Sequence, residues 1–188
     1  MGWPECYSKR IINREKCGQT YPKSSPQENE SLIFEMENMT SQQAEFSHFV
    51  TAQESIYVRV LQELAEGQKI THWMWYIFPQ FRGLGRSLMS DRYAIHSLGQ
   101  AKRYLAHEIL GARLVECTSL VLRVQGRSAI EIFGGIDALK FRSSITLFSL
   151  CAPSGNVFEQ AMAKYFDGKP DGITLKLLGI DSRNLVPE

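Results

Sequence analysis

No stretch of the chain approaches the ~18 consecutive apolar residues that a membrane-spanning helix requires, so no integral membrane segment is read from it. Charge of one sign is not in excess either. Lys and Arg number 21 against 20 Asp and Glu, a formal net charge of +1, which removes the bulk electrostatic case for nucleic acid or an anionic membrane as partner. Cysteine is sparse: Cys6, Cys17, Cys117 and Cys151 form no CxxC pair and have no histidine at zinc-finger spacing. They are expected as reduced thiols, with Cys117 and Cys151 acting as small apolar residues inside helical patterns. No two of His48, His72, His96 and His107 stand at i, i+4 with a carboxylate, so no metal is expected. Repeats and low-complexity tracts are missing, and the alternating β-branched runs of strands are almost absent. The first residues carry charges but no following apolar stretch with a cleavage site, and Glu5 and Glu15 count against a transit peptide, so a cytoplasmic location is expected.

What is present suits one helical domain. The 188 residues are 44% hydrophobic and 11% aromatic, enough for a single core. Residues 1–45 hold Pro4, Pro22, Pro26 and the polar cluster KSSPQENES, and read as a poorly ordered extension in which only residues 32–39 could form a short helix. Residues 46–180 form the expected domain and 181–188 a tail. The fold class is all-α: a compact multihelical single domain.

Helical spacing supports that reading along the domain. Phe49, Ala52, Ile56, Val60 and Leu64 predict one helix from Ser47, stopped by Gly67. THWMWYIFPQ, residues 71–80, could be a strand by propensity alone, but becomes a short helix if Thr71 caps it and Pro79 marks its end. Ser87 and Ser97 are cap candidates for two further helices. Between His107 and Gln125, the residues Leu110, Leu114, Cys117, Val121 and Val124 draw an amphipathic stripe. Ser128 with Glu131 has capping-box spacing. Residues 137–150, 157–166 and 172–178 complete the expected set.

Polar residues embedded in apolar surroundings mark where chemistry could sit, because an unpaired polar group in a core is costly. His72, Trp73, Trp75, Pro79 and Gln80 form one such cluster: an imidazole for proton transfer and two indoles with Gln80 for the wall of a pocket that stacks a flat ring. The bland alternative makes both indoles core anchors. Gly83, Gly85 and Ser87, with Arg82 and Arg86 nearby, form a glycine-bearing turn into a helix that could face an anion, without the pattern of a Rossmann site or a P-loop. Asp137, Lys140 and Ser144 share one helix face at i, i+3 and i+7, close to Ser143 and Thr146. There Lys140 could bind an anion or activate a hydroxyl, or pair with Asp137 at the surface. Tyr93, His96 and His107 read as ordinary packing and exposure.

The segments HWMWYIFPQFRGLGRS, RYAIHSL, YLAHEILGARLVEC and GRSAIEIFGGIDALKFRSSITLF together resemble domain-of-unknown-function family 1810, over about Phe46 to Gly179. Some members carry the label calpastatin, but the chain has no disordered inhibitory repeat. The resemblance implies a multihelical fold and no established activity. The family's motif residues fall on His72, Trp73, Trp75, Pro79, Gln80, Gly83, Gly85, Ser87, Tyr93, Asp137, Lys140, Ser144 and Thr146. Ile145 departs from a common methionine and His48 from the usual polar residue.

Two functions are favoured by these residues, ahead of a third, nucleic-acid binding, which would need Arg82, Arg86, Arg92 and Arg103 on one face and is disfavoured by the near-neutral charge. In the first, the domain binds or hydrolyses a phosphate-bearing small molecule of nucleotide type, like NAD or ADP-ribose. Trp73 or Trp75 would stack on the base, Lys140 and the Gly83 to Ser87 turn would hold phosphate, His72 would transfer a proton, and Ser144 would be the hydroxyl beside Lys140. In the second, the same segment is a noncatalytic protein interaction module. A site requires His72, Gln80, Lys140 and Ser144 to converge on one concave surface; a module lets them scatter.

Overall fold

The computed structural model describes residues 44–181. The short helix expected over 32–39, Cys6 and Cys17, the rest of the extension to residue 43, and the tail from 182 lie outside the described residues. Among the described residues the secondary structure is helical, with no strand.

The helix expected from Ser47 to Gly67 is two helices, α1 (44–54) and α2 (Tyr57–Ala65). They part at residues 55 and 56, where the Ile56 amide donates to the Gln53 carbonyl three residues back at 3.1 Å. Gln53 itself turns inward, donating to the Tyr76 carbonyl at 2.6 Å and accepting from Arg113 at 3.2 Å. Gly67 ends α2 at φ +68°, a conformation that costs glycine little.

The aromatic segment is the short helix α3 (Met74–Ile77), but Thr71 does not cap it. The helix starts later, with Trp73 at its N-cap, and the Thr71 hydroxyl donates to the Glu63 carboxylate at 2.7 Å. Ser87 and Ser97 do cap α4 (Leu88–Arg92) and α5 (Leu98–Ala106). The amphipathic stripe is α6 (Glu108–Arg123), started by the His107 ring nitrogen, with Leu110, Leu114, Cys117 and Val121 buried. Ser128 and Glu131 form the capping box of α7 (Ala129–Phe133).

Helix α8 (Gly135–Ser149) is buried from Ser143 to Phe148, while its first turns leave Ile136 and Leu139 exposed. Around it pack α3, α5, α7, α9 (Val157–Phe166) and α10 (Gly172–Leu177). Phe141 meets Phe78 edge-on and Phe133 face-on, and Phe148 links Tyr104 to Phe158. Between α3 and α5 the backbone makes an isolated parallel bridge, Phe81 with Ile95, in which Arg82 donates to Ile95 and Ile95 donates to Gln80, each at 2.9 Å. That pairing ties both ends of the turn that carries Gly83, Gly85 and Ser87. No helix among the described residues is long and apolar enough to cross a membrane.

Candidate functional site

The wall of the site begins with a buried acid that sequence reasoning passed over. Glu63, 3% exposed, accepts from the Ile70 amide at 2.8 Å, the Thr71 amide at 3.0 Å, the Thr71 hydroxyl at 2.7 Å, the Trp73 indole at 2.8 Å and Arg59 at 3.2 Å. Burial opposes its charge, but the bonds from Thr71, Ile70 and Trp73 outweigh that and hold the carboxyl down to about 2. The signal was in the chain: Ile56, Val60, Glu63 and Gly67 step by four, three and four, so Glu63 sits on the apolar stripe of α2.

With Trp73 anchored inward at the N-cap of α3, Trp75 in the helix itself is partly exposed and lines a cleft. Trp75 and Gln80 form one side of a cleft of about 430 Å³. The turn supplies Leu84, Gly85, Arg86, Ser87 and Ser90; α8 supplies Ile136, Leu139, Lys140 and Ser143; Asp171 and Ile173 come from α10 and its cap. The Lys140 ammonium lies 4.8 Å from the Trp75 ring centroid. A second, shallower depression of about 410 Å³ adjoins it, sharing Trp75, Ile136 and Lys140 and adding Lys69, His72 and Asp137.

Asp137 bridges two cations. Its carboxylate is 2.6 Å from Lys69, a residue not singled out from the sequence, and 2.8 Å from Lys140. Burial opposes the Asp137 charge, but the hydrogen bonds from Lys140 and Lys69 prevail and hold its carboxyl below the usual range. Asp171 is fixed from beneath: its amide donates to the Thr146 hydroxyl at 2.8 Å, and its carboxylate accepts from the Thr174 hydroxyl at 2.6 Å.

Of the residues expected at a site, Trp75, Gln80, Gly85, Ser87 and Lys140 line the cleft, and His72 and Asp137 line the adjoining depression. The others lie elsewhere. Trp73 is fully buried against Glu63 and Phe78. Tyr93 is buried, stacked on His48 and edge-on to Phe49 and Tyr76. Gly83, at φ +94°, has Leu177 as its near neighbour and lines neither depression. Thr146 holds the Asp171 backbone rather than facing the cleft.

Ser144 is fully buried, and its hydroxyl has no hydrogen-bond partner. It belongs to the core stripe of Phe141, Ile145 and Phe148, whereas the cleft face of α8 runs through Ile136, Leu139, Lys140 and Ser143. One residue on a helix is a turn of about 100°, so Ser143 reaches the cleft and Ser144 does not. The turn amides are also spoken for in part. The Ser87 amide donates to Ser90 at 2.9 Å and the Ser90 amide to Ser87 at 3.1 Å, so the positive charge at that end of the cleft comes from Arg86. Among the described residues no group of three or more His, Cys, Asp or Glu is placed to hold a metal ion.

Residues 43–178 match the family described as "Protein of unknown function (DUF1810)". A solved structure, the conserved hypothetical protein Rv1873 from Mycobacterium tuberculosis, is 48% identical with a TM-score of 0.71, over 73% of this chain and 98% of that one. No curated protein matches the chain. Since the family match takes in every helix from α1 to α10 and well over half of the sequence, the chain belongs to the family of proteins of unknown function DUF1810.

Proposed function

We propose that the cleft between α3, the 84–90 turn, α8 and α10 binds a small molecule with a flat, partly apolar body and an anionic group, of nucleotide type. The observation that carries this reading is the pairing of a partly exposed indole, Trp75, with the Lys140 ammonium 4.8 Å from its ring centroid, at the junction of two concave surfaces. Leu84, Ile136, Leu139 and Ile173 offer the apolar surface a flat body requires, Gln80 a donor and acceptor for its edge, and Arg86 a second cation. A volume of about 430 Å³ suits a ligand of that size.

The arrangement favours binding over hydrolysis. Ser143, the hydroxyl that lines the cleft on α8, shares a 2.8 Å hydrogen bond with Thr174, whose hydroxyl and backbone amide both donate to the Asp171 carboxylate, so that carboxylate is already engaged in capping α10, while His72 lines the other depression. A ligand of the NAD or ADP-ribose kind has the required parts.

The test is a thermal-shift screen of the full chain against nucleotides, NAD, ADP-ribose and sugar phosphates, with Trp75→Ala and Lys140→Met in parallel. A ligand at about 100 times its Kd stabilises by ~2.7 kcal/mol, and that gain is expected to vanish in both variants. Absence of any shift, with both variants folded, sinks the reading. One observation favours a protein partner instead: Ile136, Leu139 and Ile173 are 75%, 63% and 63% exposed around the cleft, an apolar patch of the kind that marks interfaces. That reading predicts no ligand in the panel.

A further inference from the structure

The depression beside the cleft carries more positive charge than its own residues neutralise. Among the described residues Asp137 is the one acid that lines it, and this carboxylate serves both Lys69 at 2.6 Å and Lys140 at 2.8 Å. Among those residues one ammonium charge is left over. The side chains concerned are only 8% exposed at Lys69 and 22% at Lys140, so water solvates the excess poorly. The faces of Trp73 and Trp75, 5.1 and 4.8 Å from the two ammoniums, relieve part of that cost without supplying a counter-charge. Gly134 and Gly135 also line it, and a Cβ added at either would meet nothing within 4 Å.

We infer that this depression is an oxyanion subsite, which takes the phosphoryl group of the ligand whose flat body lies against Trp75 in the cleft. The inference rests on the cleft reading for the body of that ligand. Lys140, which lines both surfaces, is the link between the two parts. Phosphate fits better than carboxylate because the cations are two lysines and no arginine. Ammoniums act as compact point charges for a multiply charged tetrahedral ion, whereas a planar carboxylate is matched by the guanidinium fork. Asp137 then has a definite role: it occupies both ammoniums while the subsite is empty and competes with the incoming phosphate. Removing its charge is expected to tighten binding, an effect that a purely structural ion pair would not produce.

The experiment is calorimetric titration of the full chain with adenosine, ADP and inorganic pyrophosphate, on the wild type and on Lys69→Met, Asp137→Asn and Arg86→Met. ADP is expected to bind about tenfold or more tightly than adenosine, the gain of a phosphate held by desolvated cations. Lys69→Met should erase most of that gain and leave adenosine unchanged, and Asp137→Asn should strengthen both ADP and pyrophosphate. An ADP preference that survives Lys69→Met and disappears in Arg86→Met places the phosphate in the main cleft; it overturns the subsite and leaves the cleft reading standing. Pyrophosphate bound by the wild type, lost in Lys69→Met and strengthened in Asp137→Asn, with adenosine unbound and ADP no tighter than pyrophosphate, keeps the subsite and removes the cleft reading. Weaker binding in a folded Asp137→Asn variant, or no binding of any probe, overturns the subsite.

Discussion

Replacing Glu63 by glutamine tests the anchor on which the site wall depends. The wild-type carboxylate is held down to about 2 against an ordinary value of 4.5, and its side chain is 4% exposed, so little solvent screens it. At about 1.4 kcal/mol for each pH unit of displacement, ionised Glu63 stabilises the fold by about 3 kcal/mol at neutral pH. Because the folded value lies below the unfolded one, this stabilisation is complete above about pH 4.5 and is lost as pH falls from there towards 2. Glutamine keeps the shape but has one acceptor oxygen where the carboxylate has two, serving three donors at Oε2 and two at Oε1. Urea denaturation of the two proteins side by side is the assay. The wild type should exceed Glu63→Gln by about 3 kcal/mol at pH 7, and the gap should shrink by about 2 kcal/mol at pH 3. Equal stability at pH 7, or a gap that does not change with pH, would refute the assignment of Glu63 as the ionised hub.

Ser144→Ala removes a buried hydroxyl that has no partner, so it should leave the fold as stable or raise its stability by about 1 kcal/mol in urea denaturation, and leave ligand binding in the cleft untouched. Lost binding with unchanged stability would restore Ser144 to the site. Gly111→Ala is expected to destabilise by about 3 kcal/mol, because an added Cβ overlaps the Leu105 backbone carbonyl and forces α5 from α6. A melting temperature within a degree or two of wild type would show that the two helices are not packed as closely as described.

Features decided within a few residues were legible in the chain. Ser87, Ser97 and Ser128 cap the helices they precede, and Leu110, Leu114, Cys117 and Val121 are buried where their spacing puts them. Features decided by distant partners were not. Gln53 and Glu63 sit on apolar stripes as polar residues, and only Tyr76 and Trp73, brought by another segment, explain why they are buried there. The bridge between Phe81 and Ile95 has no local signature. Within the site, Asp137 and Lys140 could be paired from their spacing, but Lys69 could not be added, since it arrives from the end of α2. Trp73 and Trp75 have equal claims in the sequence. Their division of labour follows only once Glu63 captures the first indole at the N-cap of α3 and leaves the second to line the cleft.

Buried Glu63 and partly exposed Asp137 hold the same segment by different means, and the difference bears on function. Glu63 fixes residues 70–73 from the core side with donors that match its lone pairs, so the structural demand is met there. The Lys69 amide adds a 2.7 Å bond to the Ile132 carbonyl of α7. With the chain pinned at both points, positioning His72 and Trp75 needs no further ion pair. Yet Asp137 on α8 gathers two ammoniums where one would balance it, close to solvent and beside an open concavity. An excess cation of that kind lowers the stability of the empty protein. It becomes favourable when a negatively charged group enters, which is what the proposed oxyanion subsite would supply to the trio of Lys69, Asp137 and Lys140.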